Sequence, residues 1–297
     1  MEIDRKELKR RARERMALTD PKFWIVALAY LALTTGVSWL FSFLPIHHTQ
    51  ATLTFFQLLL MLYTTVVQFG LCLWALWAYR QLDPGVNSLM QGFSVAGRVL
   101  LMELGIFVRI MLWYLPIALV LSIPVIFMLL NSVQAGVGMT ALFLYLAALV
   151  ATLIVLSLRY ALSPYLLADR PDDGPSVPIY RSASLMRGWK MELFKLELSF
   201  IGWELINLLL SAGVTLFFLY RSGLLTPEAL VTLNVVWLQA CMEVIYSPQV
   251  VILSTLVTVP LSLWLLPYRH TARAGFYDAR LVAASHEERP MPEMPPL

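Results

Sequence analysis

Charge is scarce in this chain: Asp, Glu, Lys and Arg make up 14% of its 297 residues, against about 25% in ordinary soluble domains. A water-soluble surface of this size needs more than that, so a conventional soluble globule is excluded. Cysteine is scarcer still. Cys72 sits within an apolar run and Cys241 in a later segment, a spacing that builds neither a disulfide framework nor a zinc site, and both read as apolar filler. His47 and His48 are adjacent, so their side chains diverge, and a wet loop fits them better than a metal site. His270 and His286 lie near the C-terminus without metal-ligand company. Serine-elbow, paired-histidine, paired-aspartate and phosphate-loop patterns are missing. These absences predict no catalytic, cofactor-binding or metal centre, and a net charge of +3 gives no reason to expect a nucleic-acid partner.

What the chain has instead is apolar length. Hydrophobic residues make up 59% of it and gather into uncharged runs that reach or approach the roughly 20 residues needed to cross about 30 Å of hydrocarbon. Unpaired backbone groups are expensive there, which favours helices. The runs predict an all-α, polytopic transmembrane helical bundle of about six spans (23–44, 55–78, 110–130, 139–158, 198–220 and 250–266) plus interfacial amphipathic helices. The first run follows basic residues but offers no convincing small-residue cleavage site, so it reads as a retained signal anchor. The last is short and contains Pro260, which predicts a kink or a ragged boundary.

Basic residues sort to one side of these spans. Residues 1–22 hold eight Lys or Arg, 79–109 three, 159–197 six and 267–297 four, while Arg221 alone falls on the opposite side. Basic segments are retained in the cytoplasm during insertion. The asymmetry therefore predicts a cytoplasmic basic N-terminal helix (1–22), a transmembrane domain (23–266) and a cytoplasmic tail (267–297), disordered after about residue 284 where the sequence becomes proline-rich.

Three segments between spans carry helical periodicity. In 84–100, Val86, Leu89, Met90, Phe93, Ala96 and Leu100 share one face, as an interfacial helix would. Residues 176–195 repeat the pattern with Ile179, Ala183, Met186 and Leu193 after a turn at Asp172 to Pro175. The third, 226–246, opens with Thr-Pro-Glu, a plausible helix start; Asn234, Gln239 and Glu243 favour an external helix over a seventh span. The N-terminal RKELKRRARER reads as a solvated helix, with anionic-lipid contact by residues 5–15 as the alternative.

The most suggestive polar feature is the fifth span. Glu197, Glu204 and Ser211 are spaced by seven with Asn207 between them, nearly one stripe of a helix, and a carboxylate in hydrocarbon should face other helices or water. Arg109, at the start of the third span, is the expected partner if Glu204 is ionised. Otherwise Arg109 snorkels to the interface and Glu204 is protonated or bonded to a neighbouring helix.

From Arg159 onward, RYALSPYLLADRP, SASLMRGWKMELFKLELSFIGW and LPYRHTARAGFYDARL resemble an uncharacterised bacterial membrane family, domain of unknown function 975. The N-terminal RKELKRRARERM is similar to that family's start. The resemblance implies a bacterial cytoplasmic-membrane protein and carries no established activity. It marks Asp169, Met186, Gly188, Lys190, Ser199, Gly202, Trp203, Pro267, Tyr268, Phe276 and Tyr277 on or near the cytoplasmic face; Glu204 departs from the pattern. Gly188 is expected to admit a close backbone or end a helix, Asp169 to cap its turn or pair with Lys190, and Trp189, Trp203 and Tyr268 to anchor near headgroups.

Together these features predict a non-enzymatic envelope scaffold or accessory protein with a membrane or cytoplasmic protein partner, or alternatively a transporter or transport accessory. The charge asymmetry also gives a testable topology. Reporters fused after Leu44, Leu130 and Tyr220 should read outside, and fusions near Gln81, Pro175 and Pro290 should read inside. An outside reading at Pro290 would require an odd number of spans.

Overall fold

A computed structural model describes residues 4–43, 50–82, 84–130, 135–226 and 235–287. Among them six helices are long and apolar enough to cross a membrane: Phe23–Leu40, Thr54–Arg80, Ser88–Met128, Gly138–Asp169, Ile201–Arg221 and Pro248–Ser285. The architecture is an all-α polytopic bundle. Its elements are α1 (Arg5–Ala17), α2 (Phe23–Leu31), a π-turn (Ala32–Gly36), α3 (Val37–Phe43), α4 (Gln50–Arg80), α5 (Ser88–Gln91), a 3-10 turn (Gly92–Val95) and α6 (Ala96–Leu130). After them come α7 (Ala135–Tyr160), α8 (Ser163–Asp169), α9 (Ser176–Leu185), α10 (Lys190–Leu198), α11 (Ile201–Arg221), α12 (Val235–Ile245) and α13 (Pro248–Glu287).

The core sits at one end. In the most apolar stretches of α6, α7 and α11 no residue is buried within the protein, as expected where lipid is the solvent. At the basic end, by contrast, Trp74, Tyr165, Phe200, Phe276 and Tyr277 are almost fully enclosed. Leu8, Ala12 and Met16 of α1 join that core. They recur every four residues and so share one helix face, which docks α1 on α4 and α13. The expectation of a solvated α1 is corrected accordingly: only its outer face is wet, and there Arg10 is bonded to Glu7 and Glu14, and Arg11 to Glu7.

Several boundaries move. The periodic segment 84–100 is not a separate interfacial helix; α5 and the 3-10 turn lead directly into α6, so the third span begins well before residue 110. Residues 176–195 are two helices, α9 and α10, broken at 186–189, with Ile179, Met186 and Leu193 buried as expected. The 250–266 span continues without interruption through Pro260 and Pro267 to Glu287, so residues 267–287 are helix. At 11 residues, α12 is too short to cross hydrocarbon at about 1.5 Å per residue. The Pro227 and Glu228 helix start, His47, His48 and the proline-rich end lie outside the described residues.

Glycine acts differently at two positions. Gly188 has φ +81 and no atom near where a Cβ would stand; it ends the α9 turn by adopting left-handed backbone, and no second backbone approaches it. Gly70 on α4 is the close-approach glycine: a Cβ there would meet the Leu89 backbone, 2.7 Å from its Cα. Gly92 faces the Val66 carbonyl at 2.6 Å in the same way, so two small residues let α4 and the α5 segment touch backbone to backbone. Gly70→Ala should therefore sharply lower folded yield and melting temperature, since overpacking costs about 1 to 3 kcal/mol or more. Gly188→Ala should cost only the left-handed penalty of about 1 to 2 kcal/mol. Detergent-phase melts of both variants test the ranking, and a parent-like Gly70→Ala would refute the close approach.

Candidate functional site

Two ion-paired lattices tie the basic end together. At the last residue of α4, Arg80 reaches Asp169 of α8 and, at 2.7 Å, Asp278 of α13, and Tyr277 Oη donates to Asp169 at 2.9 Å. The expected Asp169–Lys190 pair is thus replaced. Arg80 holds Asp169 in a geometry set by α4 and α13, and Lys190 makes no contact with it. Nearby, the Arg280 guanidinium lies 4.3 Å from the Trp189 ring and donates to the Leu185 carbonyl.

The second lattice centres on Glu197 of α10. Arg269 Nε donates to one carboxylate oxygen at 2.7 Å and Arg273 Nε to the other. Arg269 Nη1 also donates to Glu204 at 3.0 Å. This corrects the expected partner of Glu204. Arg109 instead donates to the Gly105 carbonyl and stacks on Tyr180 with its charge 5.0 Å from the ring centroid, because α6 runs along α7 and α9 rather than α11.

Beside this lattice lies a polar chamber of about 370 Å³. Tyr30 of α2 and Gln68 of α4 form one wall, Glu204 and Asn207 of α11 another, and Ser262, Arg269, His270 and Arg273 of α13 the third. Two turns of α13 separate Ser262 from Arg269, so one helix contributes both the shallow and the deep parts of the wall. Asn207 Oδ1 is buried and meets no hydrogen-bond partner among the described residues. A second cavity of about 140 Å³ lies across α4, lined by Thr65, Gln68, Cys72 and Glu103. Gln68 borders both. His270 Nδ1 lies 3.7 Å from Cys72 Sγ, a further link through α4.

The polar stripe is therefore split in use. Glu197, Glu204 and Asn207 converge on α13, while Ser211 lies one turn beyond the chamber, where its backbone carbonyl accepts from Thr215 Oγ1. Of the other marked residues, Met186, Tyr268, Phe276 and Tyr277 are core, and Pro267 is buried beside them. Tyr268 packs against Phe200 and Trp264, each centroid 5.0 Å away, so it is an interior residue and no headgroup anchor. Trp203 stays 41% exposed against Trp264. Ser199 accepts from Lys9 Nζ at 3.1 Å, tying α1 to the end of α10. Gly202 has open space where a Cβ would stand.

The fold and chamber define a polytopic α-helical membrane protein with its polar side chains concentrated at the basic end. The chain belongs to the family described as a protein of unknown function (DUF975), whose model matches residues 1–283. No curated protein and no solved structure matches it.

Glu197 offers a pH test. Burial alone would raise its carboxyl, but the bonds and charges of Arg273 and Arg269 outweigh that and hold it below the usual carboxylate range. A carboxyl depressed on folding contributes stability that is full above its unfolded value, about 4.3 for Glu, and is lost as pH falls through the folded value. The parent should hold its stability from neutrality down to about pH 4 and lose it below. Glu197→Gln should be destabilised at neutral pH, by less than the about 3 to 5 kcal/mol of a fully buried pair, because both guanidiniums are only partly buried and Arg269 keeps Glu204, and should lose less on acidification. Identical acid profiles for parent and variant would remove the pair from the account.

Proposed function

We propose that this protein is a non-enzymatic transporter or transport accessory subunit for a small polar solute. It sits in the bacterial cytoplasmic membrane with the basic end, and so both termini, on the cytoplasmic side. The observation that carries the reading is the chamber at Glu204: about 370 Å³ of polar-lined space among helices long enough to span, a volume within the ordinary range of small-molecule sites. Intramembrane ionisable groups facing such space are the usual mark of a substrate or ion path.

A scaffold or accessory protein of the cell envelope is the second reading. It is favoured by the ion-paired basic end and by a groove of about 410 Å³ between α1 and α13, where Leu8, Tyr79 and Val282 lie beside Glu7, Arg11 and Asp278, a shape suited to a segment of a protein partner. Exposed Lys6 and Arg13 add contact with anionic headgroups at the same face.

Thiol accessibility separates the two. In oriented membranes a charged, membrane-impermeant thiol reagent should label Ser262→Cys from the basic side, while the parent stays unlabelled because Cys72 and Cys241 are both buried. A folded Ser262→Cys protein that resists the reagent from both sides would close the chamber and leave the scaffold reading.

A further inference from the structure

The chemistry of the chamber wall narrows what it would hold, and this step rests on the reading that the chamber is a solute site. Arg269 and Arg273 both line the space, yet each spends only its Nε on Glu197, which stands behind them, and Arg269 spends one Nη1 proton on Glu204. Nη2 of Arg269 and both terminal nitrogens of Arg273 have no hydrogen-bond partner among the described residues. Their side chains are 34% and 29% exposed, so these donors are not sealed in protein. Facing them across the space is a single carboxylate, Glu204, 45% exposed and held by one bond. Glu197 and Glu204 together balance the two guanidiniums, so what the wall has to spare is N–H donors, and of the two carboxylates only Glu204 is held loosely enough to give way.

We propose that the chamber is an anion site for a phosphate- or carboxylate-bearing ligand, and that Glu204 is its internal competitor. The anion's oxygens take the free terminal N–H groups of Arg269 and Arg273, whose planar forks suit bidentate oxygen pairs, and the bond from Arg269 Nη1 passes from Glu204 to the ligand. Glu197 stays in place and keeps both arginines aimed. Released Glu204 moves aside within the chamber, which its single bond allows. Gln68, Ser262 and Tyr30 complete the wall for whatever group the anion is attached to.

The test uses the full chain in nonionic detergent and reads thermal shift and intrinsic fluorescence, Trp264 lying next to the chamber residue Leu265. Inorganic phosphate and phosphatidylglycerol added as mixed micelles are the two probes, with phosphatidylcholine mixed micelles as the net-neutral control. Saturable binding of phosphate alone assigns a soluble anion, and a response to phosphatidylglycerol alone assigns a lipid headgroup; either supports the proposal if Glu204→Gln tightens it by about two- to fivefold, the factor an exposed ion pair is worth. Arg269→Gln should weaken it by at least tenfold. Because that variant also removes a partner of Glu197, the half-exposed Glu204→Gln is the decisive arm. Affinity that is unchanged or weaker in Glu204→Gln, or no response to either probe, overturns the anion assignment. Ser262→Cys labelling distinguishes that outcome from failure of the chamber itself: a labelled chamber that binds no anion keeps the transport reading and rejects only this one.

Discussion

Lipid tails are as apolar as leucine, so the outer parts of α6, α7 and α11 gain no hydrophobic free energy by touching one another, and in this protein they are left facing outward. What holds the bundle must therefore come from close packing and from polar groups that find partners only in one arrangement. Both are concentrated at the basic end. There Gly70 and Gly92 admit backbone contact, Arg80 joins α4 to α8 and α13, and Glu197 fastens α10 to α13. Each removes a freedom that apolar contact alone would leave.

Much of this organisation was legible in the sequence. Apolar runs located all six long helices, because the length a helix needs to cross hydrocarbon is set by geometry and not by neighbours. The site was only partly legible. Glu197, Glu204 and Asn207 stand out as polar residues in or beside an apolar run, but their partner did not: ending the last span at Leu266 puts Arg269 and Arg273 in a tail, when the helix simply continues. Glu103 was missed for the same reason, since a span begun at residue 110 leaves it in a connection. Arg109 drew attention through its position along the chain, while partner choice depends on which helices are neighbours, and periodicity within a helix carries no information about that. The inward face of α1 is different. Leu8, Ala12 and Met16 at four-residue spacing were a readable signal, masked by the density of charge around them.

Charge burial at this end also has an internal order. Glu197 is the enclosed carboxylate and has two cations; Glu204 is the open one and has a single bond to a cation it shares. Strength and exchangeability are thus separated onto two residues seven apart, one on each side of the break between α10 and α11. A site that must keep its arginines aimed while freeing some of their donors needs such a division, because one carboxylate cannot be both anchor and leaving partner.

At 40 residues, α13 is about 60 Å long at about 1.5 Å per residue, roughly twice the hydrocarbon thickness. The stretch in contact with lipid and the stretch bearing Arg269, Arg273, Tyr277 and Asp278 are one rod. Pro260 lies within the lipid-facing stretch and Pro267 where the two meet, each removing one N–H from the helix ladder. A thinner or thicker membrane would change the tilt of the lipid-facing half, and because the rod is continuous the chamber wall would tilt with it.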